Sequence, residues 1–181
     1  MRAFIAIELP ASIREALARE QARFRAASAD ARWTRPEGIH LTLKFLGNIS
    51  AQQEAQVKDA LGRLDRVETF TVQVEGFGVF PSAKSPRVFW AGVEAPPALA
   101  RLAAQVESAM ARLGFPPEGR PFKPHLTLAR FKMPRPQREL ERLVAASGNP
   151  PLGSFAVSEF FLWESRLSPR GAEYLKVARF P

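Results

Sequence analysis

The chain has 181 residues, 46% of them apolar and 24% charged, which is the balance of a folded globular protein and excludes a disordered or fibrous one. It contains no cysteine, so disulfides, thiolate nucleophiles and cysteine-ligated metals are excluded. Twenty-six Lys and Arg against eighteen Asp and Glu give a net charge of +8, which favours a polyanionic partner, nucleic acid above all, although an arginine-rich composition alone also produces such a charge.

No apolar run reaches the length of a membrane span, and Met1 to Pro10 has neither the basic start nor the cleavage site of an export signal. A cytoplasmic setting without a membrane is the expectation. From the N-terminus, residues 3–9 read as a buried strand. Pro10 then opens a helical stretch with Ile13, Leu17 and Phe24 at helical spacing. A turn-rich stretch follows, and residues 39–46 read as a strand whose alternation puts Leu41, Leu43 and Phe45 on one face and His40, Thr42 and Lys44 on the other. Ser50 with Gln53 forms a capping-box signature for a second helix carrying Val57, Leu61 and Leu64. Strands at 70–74 and 78–80 close the unit.

The same order then recurs. Residues 87–94 read as a strand, and Leu99, Leu102, Val106, Met110 and Leu113 make the core stripe of a helix. Residues 125–131 form a strand with Leu126 and Leu128 opposed to His125, Thr127 and Ala129. A helix with Leu140, Leu143 and Val144 and strands at 155–163 and 173–180 complete the series. A constant offset of 85 residues superposes Arg2, Phe4 and Ala6 on Arg87, Phe89 and Ala91, and His40-Leu41-Thr42-Leu43 on His125-Leu126-Thr127-Leu128. This implies an internal duplication. The expected fold is α+β: one bilobal domain over 1–181, with pseudo-twofold copies at about 1–80 and 86–165. Each copy is a strand-helix-strand-helix-strand unit with mixed or antiparallel sheets around a central cleft, and strand 173–180 completes the sheets.

The two histidines are the only ones in the chain, and each opens an identical H-L-T-L segment. A lone strand histidine is ordinarily a satisfied packing residue; a duplicated pair on polar strand faces points to shared chemistry. Opening a phosphodiester needs a base for the attacking oxygen and an acid for the leaving one. Imidazole, with an ordinary pKa of about 6.5, fills either role. Threonine hydroxyls can donate to phosphate oxygens, and Lys44 and Arg130 are candidates for substrate contact. So is Phe122 as a stacking ring, with Trp33 in the equivalent loop. The basic loop 80–87 is a candidate for RNA backbone contact. A zinc centre competes, but two histidines fall short of the usual three protein ligands. A serine triad lacks its G-x-S-x-G and leaves one histidine over. A non-catalytic RNA-binding module also fits the charge and the aromatics.

These residues resemble the 2H phosphoesterase superfamily, which is defined by two H-x-[T/S]-x motifs, and within it the RNA 2′,3′-cyclic phosphodiesterases, also called 2′-5′ RNA ligases. The resemblance rests on Arg2–Pro10, His40–Gly47, Val79–Ser82, Pro86–Val93, Phe122–Arg130 and Leu162–Gly171 with Tyr174. Gly38-Ile39 stands where the family more often has an Asn. The resemblance implies hydrolysis of an RNA-terminal 2′,3′-cyclic phosphate to a 2′-phosphate, with ligation through a 2′-5′ linkage as the reverse chemistry. It implies His40 as proton donor, His125 as proton acceptor, and Thr42 and Thr127 as phosphate-holding residues. No metal or other cofactor is expected, nor an obligate protein partner; the expected state is a monomer. Small cyclic nucleotides and 2′-5′ oligonucleotides are the alternative substrates.

Overall fold

The computed structural model describes residues 1–181. Nine strands and four α-helices follow in chain order: β1 (Arg2–Ile7), α1 (Ala11–Arg25), β2 (Ala31–Trp33), β3 (Leu41–Asn48), α2 (Ala51–Gly62), β4 (Phe70–Phe80), β5 (Val88–Glu94), α3 (Pro97–Arg112), β6 (His125–Phe131), α4 (Arg138–Ser147), β7 (Pro151–Val157), β8 (Phe160–Ser168) and β9 (Gly171–Phe180). One sheet runs β3-β1-β8-β9 and the other β2-β6-β5-β4-β7. Every pairing is antiparallel; for β4–β5 and β8–β9 the connection is too short for a parallel crossover. No helix is long and apolar enough to cross a membrane.

The predicted elements are present with shifted limits, and three differences carry consequences. The segment 155–163 is two strands, β7 and β8, which belong to different sheets. Residues 70–80 form one strand whose ladder is interrupted between Val74 and Phe77. The three-residue β2 lies unforeseen inside the turn-rich stretch. The Ser50–Gln53 capping box is formed in both directions, so α2 starts where its sequence signature places it.

The two copies are interwoven. β4 closes the first copy in the chain yet lies between β5 and β7 of the second sheet, because the connection from Phe80 to Val88 is short enough to fold it back on β5 as a hairpin. The strand beside β1 is instead β8, brought from the C-terminal end. The helices cross over as well: α1 packs on β7 and β2 of the second sheet, and α3 on β3 of the first. Their apolar faces join both sheets in one core that includes Ile5, Leu17, Phe24, Phe89, Val106 and Leu126. The opposite face of the first sheet carries a smaller aromatic cluster of Phe4, Ala6, Phe161 and Trp163, with Tyr174 against it.

The constant 85-residue offset holds for β3 and β6 but not for the strands beside them. Ala6 lies opposite Thr42, whereas Trp90, not Ala91, lies opposite Thr127. The core-facing Ile5 therefore corresponds to Phe89. The second copy has one extra residue between its first strand and its motif. In a strand a one-residue slip exchanges the two faces, so matching letters at Phe4 and Phe89 face opposite environments.

Candidate active site

Both motif strands contain a bulge at the same place. Ile5 pairs with Lys44 and Ala6 with Thr42, leaving Leu43 unpaired; Phe89 pairs with Ala129 and Trp90 with Thr127, leaving Leu128 unpaired. An extra residue reverses the alternation beyond it. Upstream of the bulges the sequence reading holds: Leu41, Leu43, Leu126 and Leu128 are buried in the core, and Thr42 and Thr127 lie on the opposite faces.

Downstream the faces exchange, and this corrects the expectation for Lys44. Its ammonium points into the core side, with the residue only 2% exposed. It donates to both Glu107 carboxylate oxygens at 3.0 and 2.9 Å and to the Pro116 carbonyl at 3.0 Å, so it is not placed to meet substrate. Phe45, assigned by simple alternation to the core, is 60% exposed. Its ring lies 6.1 Å from Phe4 on the Thr42 face. In the second copy Ala129 turns inward at 0% exposure, and Arg130 takes the position corresponding to Phe45. Arg130 is exposed and close enough to lower the pKa of His125. Phe45 was missed because a bulge leaves no composition signal; the 85-residue match between Phe45 and Arg130 was the available hint.

The histidines are held alike. The Nδ1–H of His40 donates to the Gly38 carbonyl at 3.0 Å, and the Nδ1–H of His125 donates to the Lys123 carbonyl at 2.8 Å. A carbonyl only accepts, so each bond assigns the proton to Nδ1 and leaves Nε2 as the nitrogen available to a ligand. Gly38, the residue unusual for the resemblance, has a steric reason: a Cβ there would lie 2.7 Å from Cε2 of Tyr174. The ring of Tyr174 occupies that space and packs on His40.

Their surroundings differ. The His40 ring lies 4.4 Å from Trp163, 5.2 Å from Tyr174 and 5.4 Å from Phe4, and Trp163 Nε1–H anchors the wall by donating to the Ala6 carbonyl. Burial lowers the His40 pKa to about 4, opposed by the Gly38 hydrogen bond and Glu8 and assisted by Arg14 and Lys176. His125 is half-buried, with Phe80 edge-on at 4.9 Å. Desolvation lowers its pKa too, opposed by the Lys123 hydrogen bond and assisted by Arg130.

Of the other expected residues, Phe122 is 38% exposed in the loop entering His125. Trp33 instead lies in β2 with its ring 6.0 Å from Phe89, as a core anchor. β3 and β6 are neighbours where the sheets meet. No group of three or more His, Asp or Glu side chains is arranged to hold a metal ion. A cavity of about 410 Å³ beside Pro10, Arg14, Phe155, Ser158 and Phe161 contains none of the sequence-predicted residues.

The family model for LigT-like phosphoesterases matches residues 7–90 and 92–174. The chain belongs to this family. An RNA 2′,3′-cyclic phosphodiesterase of Methanothermobacter thermautotrophicus is 34% identical over 99% of this chain and 98% of its own length. That of Escherichia coli K12 is also 34% identical, over 99% and 95%. Among solved structures, Escherichia coli LigT complexed with 3′-AMP superposes with a TM-score of 0.81 at 33% identity, covering 99% of this chain and 96% of that one. The TT0787 protein of Thermus thermophilus gives 0.83 at 32%, covering 99% and 97%. This LigT-like chain therefore has the two-lobed α+β architecture expected from its sequence.

Proposed function

We propose that this protein hydrolyses RNA-terminal 2′,3′-cyclic phosphates to 2′-phosphates, with His40 and His125 as an acid and base pair and without a metal or other cofactor. The observation that carries the reading is the repeated arrangement of the two rings, each with Nδ1–H on a backbone carbonyl and Nε2 left for a ligand. Relatives named RNA 2′,3′-cyclic phosphodiesterase match almost the whole chain. The positive charge suits an RNA end, and a histidine pair supplies both proton transfers of the step without a metal-bound water. The reading includes a cytoplasmic monomer as the working form.

In the forward step His125 Nε2 takes a proton from water as the water oxygen bonds to phosphorus. The P–O3′ bond breaks, and the proton on His40 Nε2 passes to O3′. The products are a 3′-hydroxyl and a 2′-phosphate. Thr42 and Thr127 donate to non-bridging oxygens, Arg130 adds positive charge beside His125, and Phe45 offers a ring at the entrance. His40 is neutral in the free protein near neutral pH, so its acid role requires the bound phosphate anion to raise its pKa. Replacing water by the 5′-hydroxyl of a second RNA in the same step leaves the phosphate bridging O2′ and O5′, which is 2′-5′ ligation by the same groups.

The lowering of the His40 pKa to about 4, which keeps its Nε2 free to accept a proton near neutral pH, favours a second reading with the roles exchanged. A cyclic substrate with sulfur in place of O3′ needs no proton on departure. It should restore turnover to the variant lacking the acid and leave the variant lacking the base inactive.

The reading is tested with a short RNA ending in a 2′,3′-cyclic phosphate, assayed in excess chelator beside small cyclic nucleotides and 2′-5′ oligonucleotides. Turnover to a 2′-phosphate in chelator, with the highest kcat/KM on the RNA end, is expected. Activity that disappears in chelator and returns with zinc contradicts metal independence. Tight, salt-sensitive RNA binding without turnover points to a binding module.

A further inference from the structure

The ion pair of buried Lys44 with partly exposed Glu107 has a counterpart in the other copy, and both join places that are remote in the chain. Glu107 of α3 accepts from Lys44 and also from the Glu118 backbone N–H at 3.0 Å, while Lys44 donates to the Pro116 carbonyl. Residues 116–118 begin the loop that ends at Lys123, whose carbonyl orients His125. Lys44 itself is the residue next to the bulge of β3, the strand that follows His40. A side chain beside the first motif thus holds the loop that sets the second histidine.

The mirror arrangement starts on α1. Gln21, 1% exposed, donates through Nε2 to the Thr34 carbonyl at 2.6 Å and to the Leu128 carbonyl at 3.0 Å. Thr34 N–H also donates to the Leu128 carbonyl at 2.9 Å. Leu128 is the bulged residue of β6, and Thr34 begins the loop that ends at Gly38, whose carbonyl orients His40. The second motif strand thus holds the loop that sets the first histidine.

We propose that these two polar braces are positioning devices that reference each histidine to the opposite motif strand, with Lys44, Glu107 and Gln21 as their positioning residues. The proposal rests on the two-histidine reading of the site. Burying the Lys44 ammonium beside the partly exposed Glu107 is a weak source of net stability, because desolvation of the ammonium offsets the attraction, so fixing a geometry is the better account of Lys44. The helices are exchanged between the lobes, and this lets one side chain reach a motif strand and the opposite loop together. The interweaving therefore gives the two sites of one reaction a common frame.

The inference predicts an effect on the distant histidine. In Lys44→Met, which keeps the stem and removes the ammonium, the imidazole ¹⁵N and Nδ1–H signals of His125 should shift or broaden while those of His40 stay, although Lys44 lies near His40 in the chain. Loss of alignment should lower kcat roughly tenfold to hundredfold, with KM changed less. Glu107→Gln keeps one oxygen as acceptor for Lys44 and Glu118 but replaces the other with an amide NH2 facing the ammonium, and should disturb the His125 signal and kcat in the same direction as Lys44→Met and by less. Gln21→Leu should disturb His40 in place of His125.

The proposal is overturned if folded Lys44→Met or Gln21→Leu leaves both histidine signals and kcat at the wild-type value, or if Lys44→Met disturbs only His40 and Gln21→Leu only His125. Loss of kcat in Glu107→Gln with an unaltered His125 signal also overturns it. Should Lys44→Met not fold, the Gln21→Leu and Glu107→Gln spectra decide. The spectra require no turnover, so they separate a failure of the braces from a failure of the proposed hydrolysis.

Discussion

His40 and His125 open identical four-residue segments, and each donates Nδ1–H to the carbonyl two residues before it, yet one ring is walled by Phe4, Trp163 and Tyr174 and the other meets only Phe80. Duplication has kept the hydrogen bond that selects the tautomer while the neighbouring strands have diverged. The ring orientation is set within each motif; the proton affinity is set by what packs on it. Two copies of one motif can thus supply unlike partners for a step that needs one proton given and one taken.

The largest consequence of this difference is a pH-dependent stability tied to His40. With its folded pKa near 4 against an ordinary 6.5, the ring binds a proton more readily in the unfolded chain. Stability is unaffected by this group above about pH 6.5, declines as the pH falls through the interval to about 4, and levels below it. Its contribution between pH 7 and pH 4.5 is about 2 to 3 kcal/mol. Urea unfolding of the wild type and His40→Gln at both pH values isolates it: the variant should lose less stability on acidification. Equal losses would mean that the aromatic wall does not set the proton affinity.

Gly38→Ala attacks the wall and the orienting carbonyl together, because the new methyl meets Tyr174 Cε2 at 2.7 Å. A destabilisation of about 1–3 kcal/mol is expected, with a His40 pKa raised toward its ordinary value in an NMR titration and His125 unaltered. A tolerated substitution that leaves the His40 titration unchanged would show that Tyr174 moves away at little cost. On the other side, Arg130→Ala should raise the pKa of His125, by removing a like charge, and raise KM for the cyclic phosphate by roughly tenfold. A wild-type KM would remove Arg130 from the substrate path.

Much of this was legible in the sequence. The strand and helix order, the capping box at Ser50, the duplication and the matching placement of the two histidines follow from periodicity and repetition. The exchange of β4 and β8 between sheets was not, since pairing partners are decided by connection length and packing that a local pattern does not encode. Lys44 and Phe45 were misplaced for one reason: strict alternation is a property of a regular strand, and the bulged Leu43 breaks it. The same event at Leu128 brings Arg130 to the face of His125 and turns Ala129 inward.

The most direct test of the account is kcat/KM for a cyclic-phosphate-ended RNA in chelator with His40→Ala, His125→Ala and the double variant beside the wild type. Each single variant should fall by roughly a hundredfold to ten-thousandfold, and the double variant little further, because the two rings act in one step. Either single variant within a few-fold of the wild type, in folded protein, would contradict the two-histidine mechanism.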